Sequence, residues 1–134
     1  MTTVPGPTRQ ATDAPDLNSG DRMTRAQFHR LYSQMPDYFK AELVEGIVHV
    51  TSPLKIRHGK PHIALAALFG TYEAHTPGVE TADNVAVLLG DESEPQPDLY
   101  MRILPEFGGQ SRTSADDYID GPPELIAEIA YATY

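Results

Sequence analysis

Two carboxylates placed in apolar segments constrain most strongly how this chain can fold. Asp98 stands at the head of a predicted strand over 96–104, and Glu128 stands in the middle of a predicted apolar strand over 124–131. A carboxylate in a buried strand is costly unless it is paired or binds a cation. On neighbouring strands the two acids would form an oxygen site suited to Mg²⁺ or Mn²⁺. On an exposed edge strand, Glu128 would simply point to solvent.

The remaining pattern predicts a mixed α+β domain around one sheet. The capping box of Thr24 with Gln27 predicts a helix over 25–34. A Glu-Gly turn signal between two apolar runs predicts a hairpin within 41–52. A stripe of apolar and small residues predicts a second helix over 57–74. Further strands are predicted over 79–89, 96–104 and 124–131, with a long polar loop over 105–122.

Composition bounds the class of protein. The chain has 134 residues and no cysteine, which excludes disulfides, thiol nucleophiles and cysteine-based metal sites. Residues 1–22 are rich in Pro, Thr, Asp, Gly and Ser and predict a disordered tail before a single domain over 23–134. The sequence has no apolar run long enough for a membrane helix or a signal peptide, so we expect a cytoplasmic protein without a membrane partner. The net charge of −9 argues against a general nucleic-acid coat.

The start of the second predicted helix carries two further candidate groups. His58 and His62 are four residues apart and would share a helix face, which allows a zinc pair. Pro61 lies between them and there is no HExxH motif, so the alternative of an exposed helix start is favoured. Three cations cluster there and oppose the helix dipole, which indicates solvent exposure or contact with an anion such as DNA phosphate. These cations are Lys55, Arg57 and Lys60.

Five segments in order carry a resemblance to a known family. They are the helix from Met23-Thr24 to Leu31, Glu42-Leu43-Val44-Glu45-Gly46, Ser52-Pro53 with His58, Gln96-Pro97-Asp98-Leu99, and Pro123-Glu124-Leu125-Ile126-Ala127-Glu128-Ile129. Each motif is weak alone, but the ordered set covers nearly all of 23–130. The chain resembles the Uma-type restriction endonuclease family of the PD-(D/E)XK nuclease superfamily.

The resemblance implies a restriction-endonuclease-like core, with a central mixed sheet flanked by helices. It implies hydrolysis of DNA phosphodiesters with Mg²⁺ or Mn²⁺ as cofactor. Asp98 and Glu128 carry over as catalytic metal ligands, and Glu42 carries over as a supporting catalytic acid. His58 carries over only as a motif residue. We group it with Lys55, Arg57 and Lys60 as candidate substrate-binding residues.

The chain departs from the family pattern at its lysine. The superfamily has a lysine two residues after the strand glutamate, where this sequence has Ala130. In the Uma-type family, the lysine that resembles it lies in a following helix and has the pattern Lys-x3-Tyr. The chain ends at Tyr134 before such a helix, so we expect the final helix and strand to be missing, with weak DNA binding and weak or no cleavage. The alternative is a non-catalytic module that forms a homodimer or binds a partner through the uncovered sheet edge.

Overall fold

The computed structural model describes residues 16–52 and 54–130. These residues form two α-helices and eight short strands, with two strands after the first helix and six after the second. The helices are α1 (Arg25–Tyr32) and α2 (Ile56–His75). The strands are β1 (Ala41–Val44), β2 (Ile47–Val50), β3 (Val79–Asp83), β4 (Val87–Leu88), β5 (Leu99–Ile103), β6 (Arg112–Thr113), β7 (Ile119–Asp120) and β8 (Leu125–Ala127). The predicted mixed α+β class is confirmed.

Helix α1 and the β1–β2 hairpin form as their sequence signals predict. The Thr24 side chain accepts a hydrogen bond from the backbone N–H of Gln27, and the Gln27 side chain accepts one from the backbone N–H of Thr24. The helix ends at Tyr32, two residues before the predicted end. The turn residues Glu45 and Gly46 both have positive φ, at 49° and 77°, which is the conformation that a tight two-residue hairpin turn requires.

Residues at the carboxyl-terminal end of the predicted tail pack against the domain. Leu17 is buried at 4% exposure in a core cluster with Phe28, Leu43 and Val48. The backbone N–H of Gly20 also donates to the carbonyl of Val48 at 2.8 Å. An isolated leucine among polar residues gives little sequence signal, yet burying it against the hairpin is favourable. Residues 1–15 of the predicted tail lie outside the described residues.

Helix α2 is covered on one side only. Its less exposed positions recur every three or four residues and face β3 and β5; these are His58, His62, Leu65, Ala66, Phe69 and Glu73. The carboxylate of Glu73 accepts hydrogen bonds from the backbone N–H and the hydroxyl of Thr81 in β3. Near the other end of the helix, His62 lies beside Asp83, the last residue of β3. The start of α2 therefore stands over the end of β3.

The strands divide among three small sheets rather than one central sheet. β1 pairs with β2, the order β3-β5-β8 is antiparallel throughout, and the order β4-β7-β6 contains the parallel pair of β4 and β7. The predicted strand over 79–89 breaks in two because Asn84 takes a positive φ of 53°. Its backbone N–H donates to the carbonyl of Pro97, and the chain then leaves the sheet of β3.

The predicted long loop over 105–122 is wrong in part. It contains a short 3₁₀ helix, Pro105–Phe107, and the strands β6 and β7. The side chain of Ser114 accepts a hydrogen bond from the backbone N–H of Tyr118, which closes the turn between these strands. The parallel pairing with β4 then buries Ile119 in a second core cluster.

The last strand is shorter and more open than predicted. β8 covers only Leu125–Ala127, and Leu125 and Ile126 are 48% and 51% exposed. Within the described residues β8 lies at the edge of its sheet, so nothing covers its outer side. Glu128 follows the strand as an exposed residue and does not stand in the middle of a buried strand. Tyr131, the predicted end of this strand, lies outside the described residues.

Candidate active site

The acids singled out in the sequence face one cleft. It has a volume of about 650 Å³ and opens between the β1–β2 hairpin, the start of α2 and the segment after β8. Its charged and imidazole side chains come from four separate parts of the chain. They are Lys40, Glu42, His58, Asp98 and Glu128.

Sheet register brings Asp98 and Glu128 together. Leu99 in β5 pairs with Ala127 in β8, so the next position in this antiparallel register places Asp98 opposite Glu128. The backbone N–H of Ile129 donates to Oδ2 of Asp98 at 2.7 Å. This hydrogen bond holds the Asp98 carboxylate against the chain that carries Glu128.

Negative charge is concentrated at Glu128. The pKa of its carboxyl is raised to about 7 by partial burial, by the neighbouring charges of Asp98 and Glu42, and by a hydrogen bond with Asp98. Glu128 as a residue remains exposed on the cleft wall, so a cation can reach it from solvent. Crowded carboxylates that disfavour one another's ionisation are the donor set that a hard divalent cation neutralises.

Glu42 is fixed on the opposite wall of the cleft. Its Oε2 accepts a hydrogen bond from the backbone N–H of Gln96 at 3.0 Å. The Gln96 side-chain amide donates to the hydroxyl of Tyr32 and to the carbonyl of Ala41. Gln96 therefore ties the segment before β5 to α1 and β1, and it sets the distance between the two walls.

Neither helix histidine lies on an exposed helix start, which was the alternative that the sequence favoured. His58 lines the cleft, and His62 stands one turn further along α2. The side chains of His58 and His62 are only 20% and 13% exposed. Nε2 of His58 lies 3.5 Å from Oδ1 of Asp98, and Nε2 of His62 lies 3.4 Å from Oδ2 of Asp83. The prediction failed because both histidines lie on the face of α2 that packs against the sheet, which their four-residue spacing alone does not reveal.

The three predicted substrate-binding cations lie outside the cleft, unlike His58. Lys55, Arg57 and Lys60 are exposed at the start of α2 and do not line the cleft. They stand beside its mouth, where His58 forms part of the wall.

Sequence reasoning missed Lys40 as a cleft residue. It belongs to none of the five segments that carry the family resemblance, yet it lines the cleft together with Glu42. The signal was available, because residues two apart in extended chain lie on the same face, and Glu42 was already a candidate.

A second cluster of ionisable side chains lies away from the cleft and was also missed. Nδ1 of His29 in α1 lies 2.6 Å from Oε1 of Glu94, and its Nε2 lies 2.6 Å from Oδ2 of Asp116. Glu94 is completely buried. These residues are distant in sequence and none belongs to a recognisable motif.

The mixed α+β fold is consistent with that of a restriction-endonuclease-like protein. The profile of the family described as "Uma2: Putative restriction endonuclease" matches residues 25–134, and the chain belongs to this family. A search of curated proteins found no match. None of the helices in the described part of the chain is long and apolar enough to cross a membrane.

Proposed function

We propose that this protein is a slow, metal-dependent nuclease that hydrolyses DNA phosphodiesters. Membership of a restriction endonuclease family supports nuclease activity as the class of function. The observation that carries the proposal for this chain is the meeting of Asp98 and Glu128 at opposed positions of the β5–β8 register, with Glu42 on the facing wall.

Asp98 and Glu128 would hold Mg²⁺ or Mn²⁺, with Glu42 as the supporting acid. The donor set fits such an ion, since all three side chains offer carboxylate oxygens and Glu128 has a raised pKa that reflects uncompensated negative charge. When bound, the ion would acidify a water molecule and balance charge on the scissile phosphate.

The side chains around the ligands would orient the reactants. The N–H of Ile129 holds Asp98, and the Gln96 backbone holds Glu42, so neither carboxylate must reorganise when a cation arrives. Lys40 is a cation on the same wall as Glu42 and would contact a phosphate oxygen or the attacking water. Ala130 stands where the superfamily has its lysine, and Lys40 serves as an incomplete substitute, which is why we expect slow turnover.

DNA would enter past the start of α2. Lys55, Arg57 and Lys60 are exposed there beside the wall formed by His58, and cations of this kind contact phosphates without reading sequence. The net charge of −9 opposes tight binding elsewhere on the surface. The affinity for DNA is therefore expected to be weak and to fall steeply with salt.

Nicking of supercoiled plasmid DNA tests the proposal. The wild type should convert plasmid to the open-circular form with Mg²⁺ or Mn²⁺ and not after chelation, while Asp98→Ala and Glu128→Ala should lose the activity. Glu106→Gln is the matched control, because Glu106 is an exposed acid in the 3₁₀ helix outside the cleft. Equal activity in all four proteins would remove Asp98 and Glu128 from the mechanism.

A second candidate function is a non-catalytic module that forms a homodimer. It is favoured by the exposed apolar side chains of Leu125 and Ile126 on the open edge of β8 and by the 67% exposed Ile63 on α2. Multi-angle light scattering would show a dimer mass that Ile126→Lys converts to a monomer. A monomer at every concentration, with no effect of metal on melting, would count against this function.

A further inference from the structure

His58 and His62 bring two imidazole nitrogens to the same point of the fold. They stand one helical turn apart on α2, and their ring centroids are 6.2 Å apart. Both rings face the sheet edge at which β3 ends and β5 begins. This pair is separate from the Asp98–Glu128 pair in donor type, since it offers nitrogen and not oxygen.

Nε2 of His58 has no hydrogen-bond partner among the described residues although the atom is buried. Burying a polar atom without a partner is costly, so such an atom indicates a missing ligand. It lies 3.5 Å from Oδ1 of Asp98, in a geometry that makes no hydrogen bond. Two donors on one tetrahedral Zn²⁺ with bonds of about 2.0–2.1 Å stand about 3.3 Å apart, which is close to this separation.

The third donor is a ring nitrogen of His62. The ligand atoms of His58, His62 and Asp98 all lie within 4.8 Å of one another. The side chains are half-enclosed between α2 and the sheet, so little reorganisation would bring them onto one ion. Asp83 adds a carboxylate 3.4 Å from Nε2 of His62 and reinforces the attraction for a cation.

We propose that His58, His62 and Asp98 form a binding site for a borderline divalent transition metal, with Zn²⁺ as its representative. Imidazole nitrogens favour ions of this class over Mg²⁺, whereas the carboxylates of Asp98 and Glu128 favour Mg²⁺ or Mn²⁺. Two histidines and one carboxylate leave a coordination position open for solvent. Glu128 is not a ligand of this site, so the site does not depend on the proposed nuclease function.

Equilibrium dialysis of the full chain against Zn²⁺, with metal analysis, tests the proposal directly. The wild type should bind about one Zn²⁺ per chain, and His62→Gln should weaken binding by at least about 10-fold. His75→Gln is the matched control, because His75 lies on the same helix but bonds only the carbonyl of Thr71. Co²⁺ gives a second readout, since a site with nitrogen ligands produces visible absorption bands that His62→Gln should abolish.

Glu128→Gln separates this site from the nuclease proposal. It should keep Zn²⁺ affinity within about twofold of the wild type while losing Mg²⁺-dependent nicking. Circular dichroism melting of each variant shows whether it is folded, and only folded variants are compared. The proposal is overturned if folded wild type binds no Zn²⁺, or if His62→Gln and His75→Gln bind it equally well. A loss of nicking alone would leave this site standing.

Discussion

Replacing His29 by alanine should destabilise the protein more than replacing any of the exposed residues of α1. His29 lies between Glu94 and Asp116, with 2.6 Å contacts to both. The side chain of Glu94 is fully buried, and its Oε2 has no hydrogen-bond partner in the protein. Removing His29 would therefore strand a carboxylate in the interior, whereas Asp116 is 54% exposed and would simply be solvated.

The expected cost follows from this difference in burial. The contact with exposed Asp116 contributes at most about 1 kcal/mol. Losing the hydrogen bond to Glu94 and leaving its carboxylate buried without a partner should cost about 3 kcal/mol. This is the lower end of the range for broken buried pairs, because Glu94 can take up a proton. For a domain of this size, about 3 kcal/mol lowers Tm by roughly 12 °C.

The same cluster should make stability depend on pH. Burial alone would lower the pKa of His29, but hydrogen bonds and charges of Asp116 and Glu94 raise it above 6.5 overall. A raised histidine pKa stabilises the fold fully below pH 6.5 and loses this contribution as the pH rises through the folded value. Burial also raises the pKa of Glu94 above 4.5, although His29 acts to lower it. The ionisation of Glu94 therefore also lowers the stability of the fold as the pH rises.

Asp116 acts at the opposite end of the scale. Hydrogen bonds from Ser114 and His29 lower its pKa below 3.8, so its contribution is lost only as the pH falls through that lower value. Tm of the wild type should therefore decrease as the pH rises above 6.5 and through the raised pKa of His29. Part of this slope belongs to Glu128, whose pKa is also raised, so the comparison is made in a Glu128→Gln background.

Thermal melting of three variants checks the argument. His29→Ala should lose stability and should keep a decrease of Tm with pH, because Glu94 still ionises in the interior without its partner. Adding Glu94→Gln should recover part of the stability and remove this pH dependence, because the stranded group can no longer ionise. His49→Ala is the control, since His49 is exposed on β2. If His29→Ala costs no more than His49→Ala, or if the double variant keeps the wild-type slope of Tm with pH, the cluster is not a stabilising ion network.

Four further variants test other parts of the structure. Lys40→Gln should slow plasmid nicking by about 10-fold or more if Lys40 assists at the cleft, while Lys60→Gln at the start of α2 should mainly weaken DNA binding and reduce its dependence on salt. Gln96→Ala should lower the free energy of unfolding by about 1–3 kcal/mol in urea titrations, because it removes two side-chain hydrogen bonds between the cleft walls. Phe28→Ala should cost about 3–5 kcal/mol, since Phe28 is completely buried in the first core; a loss below about 1 kcal/mol would contradict that burial.

Local signals in the sequence were sufficient for the elements whose ends are set by neighbouring residues. The capping box began α1, and the Glu45-Gly46 turn placed the hairpin, because both depend on contacts within a few residues. The strands β6 and β7 were missed for the converse reason. Each has two residues, and β7 pairs both with β6 and with β4, which is far away along the chain.

The candidate site was predictable in its acids but not in its surroundings. Asp98 and Glu128 stood out because carboxylates in apolar segments need a reason to be there. That they lie opposite each other could not be predicted from the two residues themselves, because it depends on which strands pair. The expectation that Glu128 lies in a buried strand failed because β8 has only one neighbour in the described part of the chain.

Asp98 is the residue at which the two proposed metal positions meet. Its Oδ2 is engaged by the N–H of Ile129, and its Oδ1 faces Nε2 of His58. An ion held by the histidines would draw on the same carboxylate that an ion beside Glu128 needs. Nitrogen donors lie on one side of Asp98 and oxygen donors on the other, and these donor types prefer different metals. The identity of the metal supplied should therefore determine which side is filled.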